Sequence, residues 1–236
     1  MFDACWVINL DRRPDRWQRF LAEVRRVDWP FPLPERVAAI DGAACTPPPG
    51  FGGTAGAFGC LQSHLHLMQR AAAEGIDSVV IFEDDAVVGV DRFGDRVAEF
   101  LDYVPHDWEQ LYFGGRHCMW HMTPTPVNAN VLRGRCVLGT WAYAIRGFAK
   151  HALHYALARW PNCLADPLFN VDRIFGQQHR LGMVRAYTPW QWFLHHGGGR
   201  SDINGHTHRT NDFDLPRCAR RLLRRHLAEK EVSGCR

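Results

Sequence analysis

Lysine is nearly missing from this chain. Only Lys150 and Lys230 are lysines among 28 basic residues, so almost all positive charge is arginine, whose planar fork suits phosphate and carboxylate. Paired cysteine spacing is missing too. The eight cysteines, Cys5, Cys45, Cys60, Cys118, Cys136, Cys163, Cys218 and Cys235, include no C-x-x-C, which excludes a zinc ribbon or a thioredoxin-like site. No apolar run is long enough to span a bilayer. The opening MFDACWVINLDRRPDR passes from a short strand-like run into charge, unlike a secretory signal. A net charge of +3 is a weak basic footprint, so no nucleic-acid partner is expected. These absences lead to the expectation of a cytoplasmic protein with reduced thiols.

What is present is ordinary globular material: 236 residues, 46% hydrophobic and 22% charged, enough for one large core. CWVINL (5–10) reads as a buried strand. Pro14 then stands near a helix start, and Trp17, Phe20, Leu21 and Val24 follow at helical spacing. RVAAI (36–40) is a second strand. Residues 45–59 read as a Pro/Gly-rich loop. Its G-x-G-x-x-A match (50–55) is no dinucleotide fingerprint, because three prolines stand where that motif needs a strand. Further on come a helix through Leu61, Leu65, Met68 and Ala72, the strand SVVIF, and a helix through Phe93, Val97, Phe100 and Leu101. A strand QLYF (110–113), an excursion over 117–135, a strand at 137–145 and a helix at 148–157 follow, and a short strand at 183–187 comes last. The alternation predicts an α/β domain with a mostly parallel central sheet over residues 1–212. Residues 213–236 form a separate basic amphipathic segment. It reads either as a solvated helix or as a peripheral contact with an anionic inner membrane surface.

The strand SVVIF runs directly into Glu83, Asp84 and Asp85. Adjacent carboxylates at a buried strand end repel one another and resist losing water, so positive charge must stand nearby. Ligands in open α/β sheets bind beyond the carboxyl ends of strands, and hard oxygen ligands there suit Mg²⁺ or Mn²⁺. An acidic cap paired to arginine is the competing explanation.

The runs VINLDRRPDRW, TAGAFGCLQSHLHLM and VVIFEDDAVV, with GTWAYAI (139–145), NVD (170–172) and SDI (201–203), together resemble glycosyltransferase family 25, the lipopolysaccharide-type and collagen-type galactosyltransferases. The resemblance spans residues 6 to 203. It implies a GT-A-type Rossmann-like fold and inverting transfer of a hexose, galactose or glucose, from a UDP-sugar donor. The acceptor it implies is a glycan hydroxyl or, in second place, a peptide. The acidic triplet then corresponds to the metal motif of such enzymes, with Mn²⁺ or Mg²⁺ as cofactor.

Under that resemblance Asp85 is the first metal ligand, and Glu83 touches the metal or, with Asp84, the donor. Asn9, Asp11, Arg12 and Arg16 follow the first strand, where the nucleotide docks and arginine can clamp phosphate. A solvated helix start paired to Asp11 and Asp15 explains the arginines equally well. Ser63 and His64 match the family's S-H pair, Ser63 on the donor side and His64 as a structural histidine. One of His195 and His196 completes the metal shell. The base that takes the acceptor proton is Asp172, then Asp166, with Asp202 third; each also reads as a helix cap or an arginine partner. One departure matters: the family's G-E-I-G-C is Gly56-Ala57-Phe58-Gly59-Cys60, with Ala57 in place of an acid. That keeps a non-catalytic nucleotide-sugar-binding module open as an alternative, beside a metal-dependent phosphohydrolase.

Overall fold

A computed structural model of the chain describes residues 2–118, 122–167, 169–203 and 207–208. The basic segment 213–236 and its boundary lie outside the described residues. The first half alternates as the pattern requires. β1 (Ala4–Asn9) leads to α1 (Pro14–Arg26), which begins on Pro14, where a missing N–H costs nothing. β2 (Glu35–Ala38), α2 (Ala55–Ala73), β3 (Ser78–Glu83), β4 (Ala86–Val88) and α3 (Phe93–Tyr103) follow. The second half holds β5 (Gln110–His117), β6 (Thr125–Pro126), β7 (Val131–Gly134), β8 (Val137–Arg146), α4 (Ala149–Arg159), α5 (Val171–Arg180), β9 (Ala186–Pro189) and β10 (Leu194–His196).

Eight strands form one sheet in the order β2-β1-β3-β8-β5-β9-β7-β6. β1 runs parallel to both β2 and β3, and β5 parallel to β9, while β8 and β7 run against their neighbours. Six of the eight strands therefore point one way. The mostly parallel α/β sheet expected from the sequence is the architecture observed.

Residue alternation along the strands separates two cores. Trp6, Ile8, Val79, Ile81, Tyr143 and Ile145 face α2, α4 and α5, whereas Cys5, Val7, Val80, Phe82, Ala142 and Ala144 face α1 and α3. Among the described residues, no helix is long and apolar enough to cross a membrane.

Three local expectations change. The Pro/Gly-rich stretch is not loop throughout, because Thr54 caps α2 by accepting from the Ala57 N–H at 3.0 Å, and the helix starts at Ala55. The excursion over 117–135 contributes β6 and β7, which extend the sheet at one edge. The short strand at 183–187 lies three residues later, at 186–189, and is not the last, since β10 pairs with β4 in a small separate ribbon.

The side-chain contacts of two histidines fix a prediction. His179 accepts the Val137 N–H on Nδ1 (3.3 Å) and faces Gln110 Oε1 with Nε2 (2.9 Å), while His117 stacks on Trp192. Burial pushes both histidines down to about 3. The unfolded chain therefore binds more protons than the native one between about pH 6.5 and 3, and stability is lost as pH falls through that window. Asp84, pushed up to about 6, works in the opposite direction for a single group. The expected net loss between pH 7 and 4.5 is about 2–4 kcal/mol, read from urea unfolding at each pH. His117→Leu should flatten the profile, since His117 Nδ1 has no protein partner.

Candidate active site

The carboxyl ends of the parallel strands β1 and β3 open into a cleft of about 670 Å³, counting the solvent at its mouth. The acidic triplet forms its floor, the first turns of α2 form one wall, and residues 201–203 cross above. The strap sits close because of Gly56, where a Cβ would meet the Ile203 carbonyl oxygen at 2.4 Å. Thr54 Oγ1 donates to that same oxygen at 2.7 Å.

The three carboxylates point to three different partners. Glu83 accepts from Thr140 Oγ1 and lies 3.5 Å from His64 Nε2. Burial raises its pKa, but His64 and Thr140 outweigh that and hold it below the ordinary value. Asp84 accepts from Asn9 Nδ2 at 2.6 Å and from Arg16 Nη1 at 3.2 Å. Burial nevertheless pushes it up to about 6, with adjacent Asp85 adding to the rise. Asp85 Oδ2 faces Arg16 Nη1 at 3.3 Å and His196 Nε2 at 3.2 Å. Its other oxygen, Oδ1, is buried with no protein partner. Burial alone would lower His196, yet Asp85 and Glu83 raise it overall.

Arg16 is thus a shared counter-ion of Asp84 and Asp85, presented by the first turn of α1. Asn9 fixes that turn by donating to the Arg13 carbonyl at 2.9 Å and accepting from Arg36 Nε at 2.7 Å. Arg12 bridges Asp41 and Asp202, each at 2.6 Å, and Arg13 holds the second Asp202 oxygen at 2.6 Å. Three arginines of the α1 start therefore converge on the strap.

Most of the residues singled out in the sequence meet here. Asn9, Arg16, Ser63, Glu83, Asp84, Asp85 and His196 all lie on or immediately behind the cleft wall. The Ser63 hydroxyl is committed to backbone, donating to the Gly59 carbonyl at 2.8 Å and accepting the Ile40 N–H at 2.9 Å. Other candidates stand apart. His195 alternates to the opposite face of the β10 ribbon and covers Gly89, where a Cβ would come 2.0 Å from its ring. Asp11 is exposed and paired with Arg36, and Asp166 is exposed and paired with Arg173 at 2.9 Å. Asp172, by contrast, sits near Glu83 although it does not line the cleft, half-buried at the start of α5 and accepting the Gly139 N–H at 3.0 Å. Burial raises its pKa, and Glu83 is close enough to add to the rise. The sequence reading passed over Thr140 and Tyr143. Thr140 was a polar residue inside an apolar strand, which was the available signal. Tyr143, whose hydroxyl meets His64 Nδ1 at 2.8 Å, gave none.

Residues 53–129 match the model of glycosyltransferase family 25, described as an LPS biosynthesis protein family. Over that third of its length the chain is similar to glycosyltransferase family 25. It is 27% identical over 176 residues to the human inactive glycosyltransferase 25 family member 3, covering 66% of this chain and 27% of that protein. The rat probable inactive member 3 is 30% identical over 138 residues, 48% of this chain and 23% of that one. The chain thus spans about a quarter of the length of these relatives. Among solved structures, it is similar to a glycosyltransferase involved in the glycosylation of the major capsid of PBCV-1, with TM-score 0.46, 7% identity and coverage of 78% and 79%. It is also similar to apo UDP-glucose pyrophosphorylase, with TM-score 0.40, 6% identity and coverage of 96% and 82%.

Arg16 makes the adjacent Asp84 and Asp85 tolerable. Arg16→Met should destabilise the fold by up to about 3–5 kcal/mol at pH 7.5, because two largely buried carboxylates lose a counter-ion. The deficit should shrink below pH 6, where Asp84 takes up a proton. Paired thermal melts at the two pH values measure this.

Proposed function

We propose that this chain is an inverting, metal-dependent hexosyltransferase. In this reading it uses a UDP-sugar, galactose or glucose, and acts on a hydroxyl of a glycan or, in second place, a peptide. The observation that carries the proposal is the buried, unpartnered Oδ1 of Asp85, a residue that lines a cleft at the carboxyl ends of two parallel strands. An orphaned carboxylate oxygen beside the His196 imidazole is a donor set that fits a divalent ion such as Mn²⁺. Bound there with the donor, such an ion would offset negative charge growing on the departing diphosphate.

The chain's own residues supply the remainder. Arg12, Arg13 and Arg16 present guanidinium groups around Asp202, and these suit diphosphate oxygens equally well. Asp172, with its raised pKa, is the group suited to take the acceptor hydroxyl proton as oxygen attacks the anomeric carbon. Its hydrogen bond from the Gly139 N–H fixes the carboxylate's orientation.

A second reading is a nucleotide-sugar-binding module without turnover. The names of the similar relatives and Ala57 favour it. Three outcomes separate the readings. With UDP-galactose or UDP-glucose and Mn²⁺, the melting temperature should rise by several degrees, since a hundredfold excess over Kd contributes about 2.7 kcal/mol. Asp85→Ala should abolish the metal-dependent part, and no shift in wild type would overturn the donor assignment. On a glycan acceptor, Asp172→Asn should lower turnover about 10²–10⁴-fold while keeping the donor shift. A donor shift with no turnover on any acceptor supports the binding module, and release of free hexose without acceptor supports hydrolysis.

A further inference from the structure

We propose that Cys60, His64 and Glu83 form a second cation site on the cleft wall, one that takes a soft divalent ion of the Zn²⁺ class. Cys60 and His64 are one helical turn apart on α2, and Glu83 ends β3 opposite them. A ligand atom from each lies within 4.8 Å of the other two. Tetrahedral Zn²⁺ at about 2.0–2.3 Å from its ligands spaces them about 3.3–3.8 Å apart. The His64 Nε2 to Glu83 Oε1 separation, 3.5 Å, already falls in that span. Side-chain rotation at Cys60 can close the rest.

The surroundings support ligation. Tyr143 hydroxyl engages His64 Nδ1 at 2.8 Å, leaving Nε2 as the ring nitrogen that faces Glu83. Thr140 holds the Glu83 carboxylate from the other side. Partners of this kind fix the orientation of metal ligands. All three residues line the cleft, so an ion has an entry path and a fourth position open to water.

Charge and softness then choose the ion. A Cys60 thiolate and the Glu83 carboxylate together neutralise a divalent cation, with the thiol proton released to bulk buffer. Without the ion, burial and the nearby Glu83, Asp172 and Asp85 keep that thiol protonated. Thiolate favours Zn²⁺ or Co²⁺ over Mg²⁺ and Mn²⁺, so this site differs in chemistry from the thiolate-free one at Asp85.

The test needs no nucleotide, so its failure is distinct from failure of the donor assignment. Co²⁺ titrated into the metal-free full chain should give a near-ultraviolet thiolate-to-cobalt band that Zn²⁺ displaces. The band should be lost in Cys60→Ser and kept in Asp85→Asn. Zn²⁺ affinity of Cys60→Ser, from chelator competition, should fall by more than about 100-fold, beyond the 10–100-fold that an outer partner is worth. In the wild type, Zn²⁺ should slow iodoacetamide alkylation of Cys60, mapped by peptide mass. The proposal is overturned if the folded wild type gives no band, if the band survives in folded Cys60→Ser, or if Zn²⁺ leaves Cys60 alkylation unchanged. If Cys60→Ser does not fold, the wild-type alkylation result decides.

Discussion

Three consecutive carboxylates at the end of a buried strand are the constraint around which this fold is arranged. Left together in low dielectric they would each give up their charge or unfold the strand. The chain separates them instead. Glu83 turns toward the α2 side and finds Thr140 and His64, Asp84 turns toward the α1 side and finds Asn9 and Arg16, and Asp85 faces the cleft and His196. Strand alternation sends the first two to opposite faces, and the tight turn into β4 presents the third. The start of α1 on Pro14, the end of β1 on Asn9 and the β10 ribbon each supply a partner that the triplet requires.

That arrangement explains why the fold was largely legible and the site only partly so. Alternating and helical spacings of apolar residues report which face is buried, so β1, α1, β3, α3 and α4 could be placed from local pattern. The direction of β8 could not, because strand polarity is decided by distant connections. The triplet and Arg16 stood out because buried charge is rare. Thr140, Tyr143 and the Asp41–Arg12 pair did not, since their significance lies in contacts across 29 to 79 positions of sequence. His195 and His196 were indistinguishable in sequence. Pairing with β4 separates them, because a one-residue step in a strand reverses the face.

The arginine cluster has two levels of commitment. Arg12 is half-exposed in its pairs with Asp41 and Asp202, and such pairs are worth little, about 0–1 kcal/mol. Arg16 is largely buried between Asp84 and Asp85 and cannot leave without exposing two carboxylates to each other. An anion entering the cleft would therefore draw on Arg12 and Arg13 at small cost, with Asp202 as the group it displaces. Arg16 would stay with the floor. The same start of α1 can thus stabilise the triplet and remain open to a polyanionic ligand.

Position 57 bears on whether this chain is catalytically impaired, because the family pattern puts glutamate there. In the structure Ala57 is the third residue of α2, buried in the core, with its N–H bonded to the Thr54 hydroxyl. A helix that opens with threonine and carries glutamate three residues later forms a capping box, in which the acid reaches back to the N-cap N–H. The acid at this position therefore has a structural use at the helix terminus, where it also meets the favourable end of the helix dipole. Ala57 does not line the cleft, whereas Gly56 and Cys60 do. Its substitution removes half of a helix cap and leaves the carboxylates of the cleft floor untouched. The loss of that acid is thus an argument about the stability of the α2 start, and a weak one against chemistry at Asp85 and Asp172.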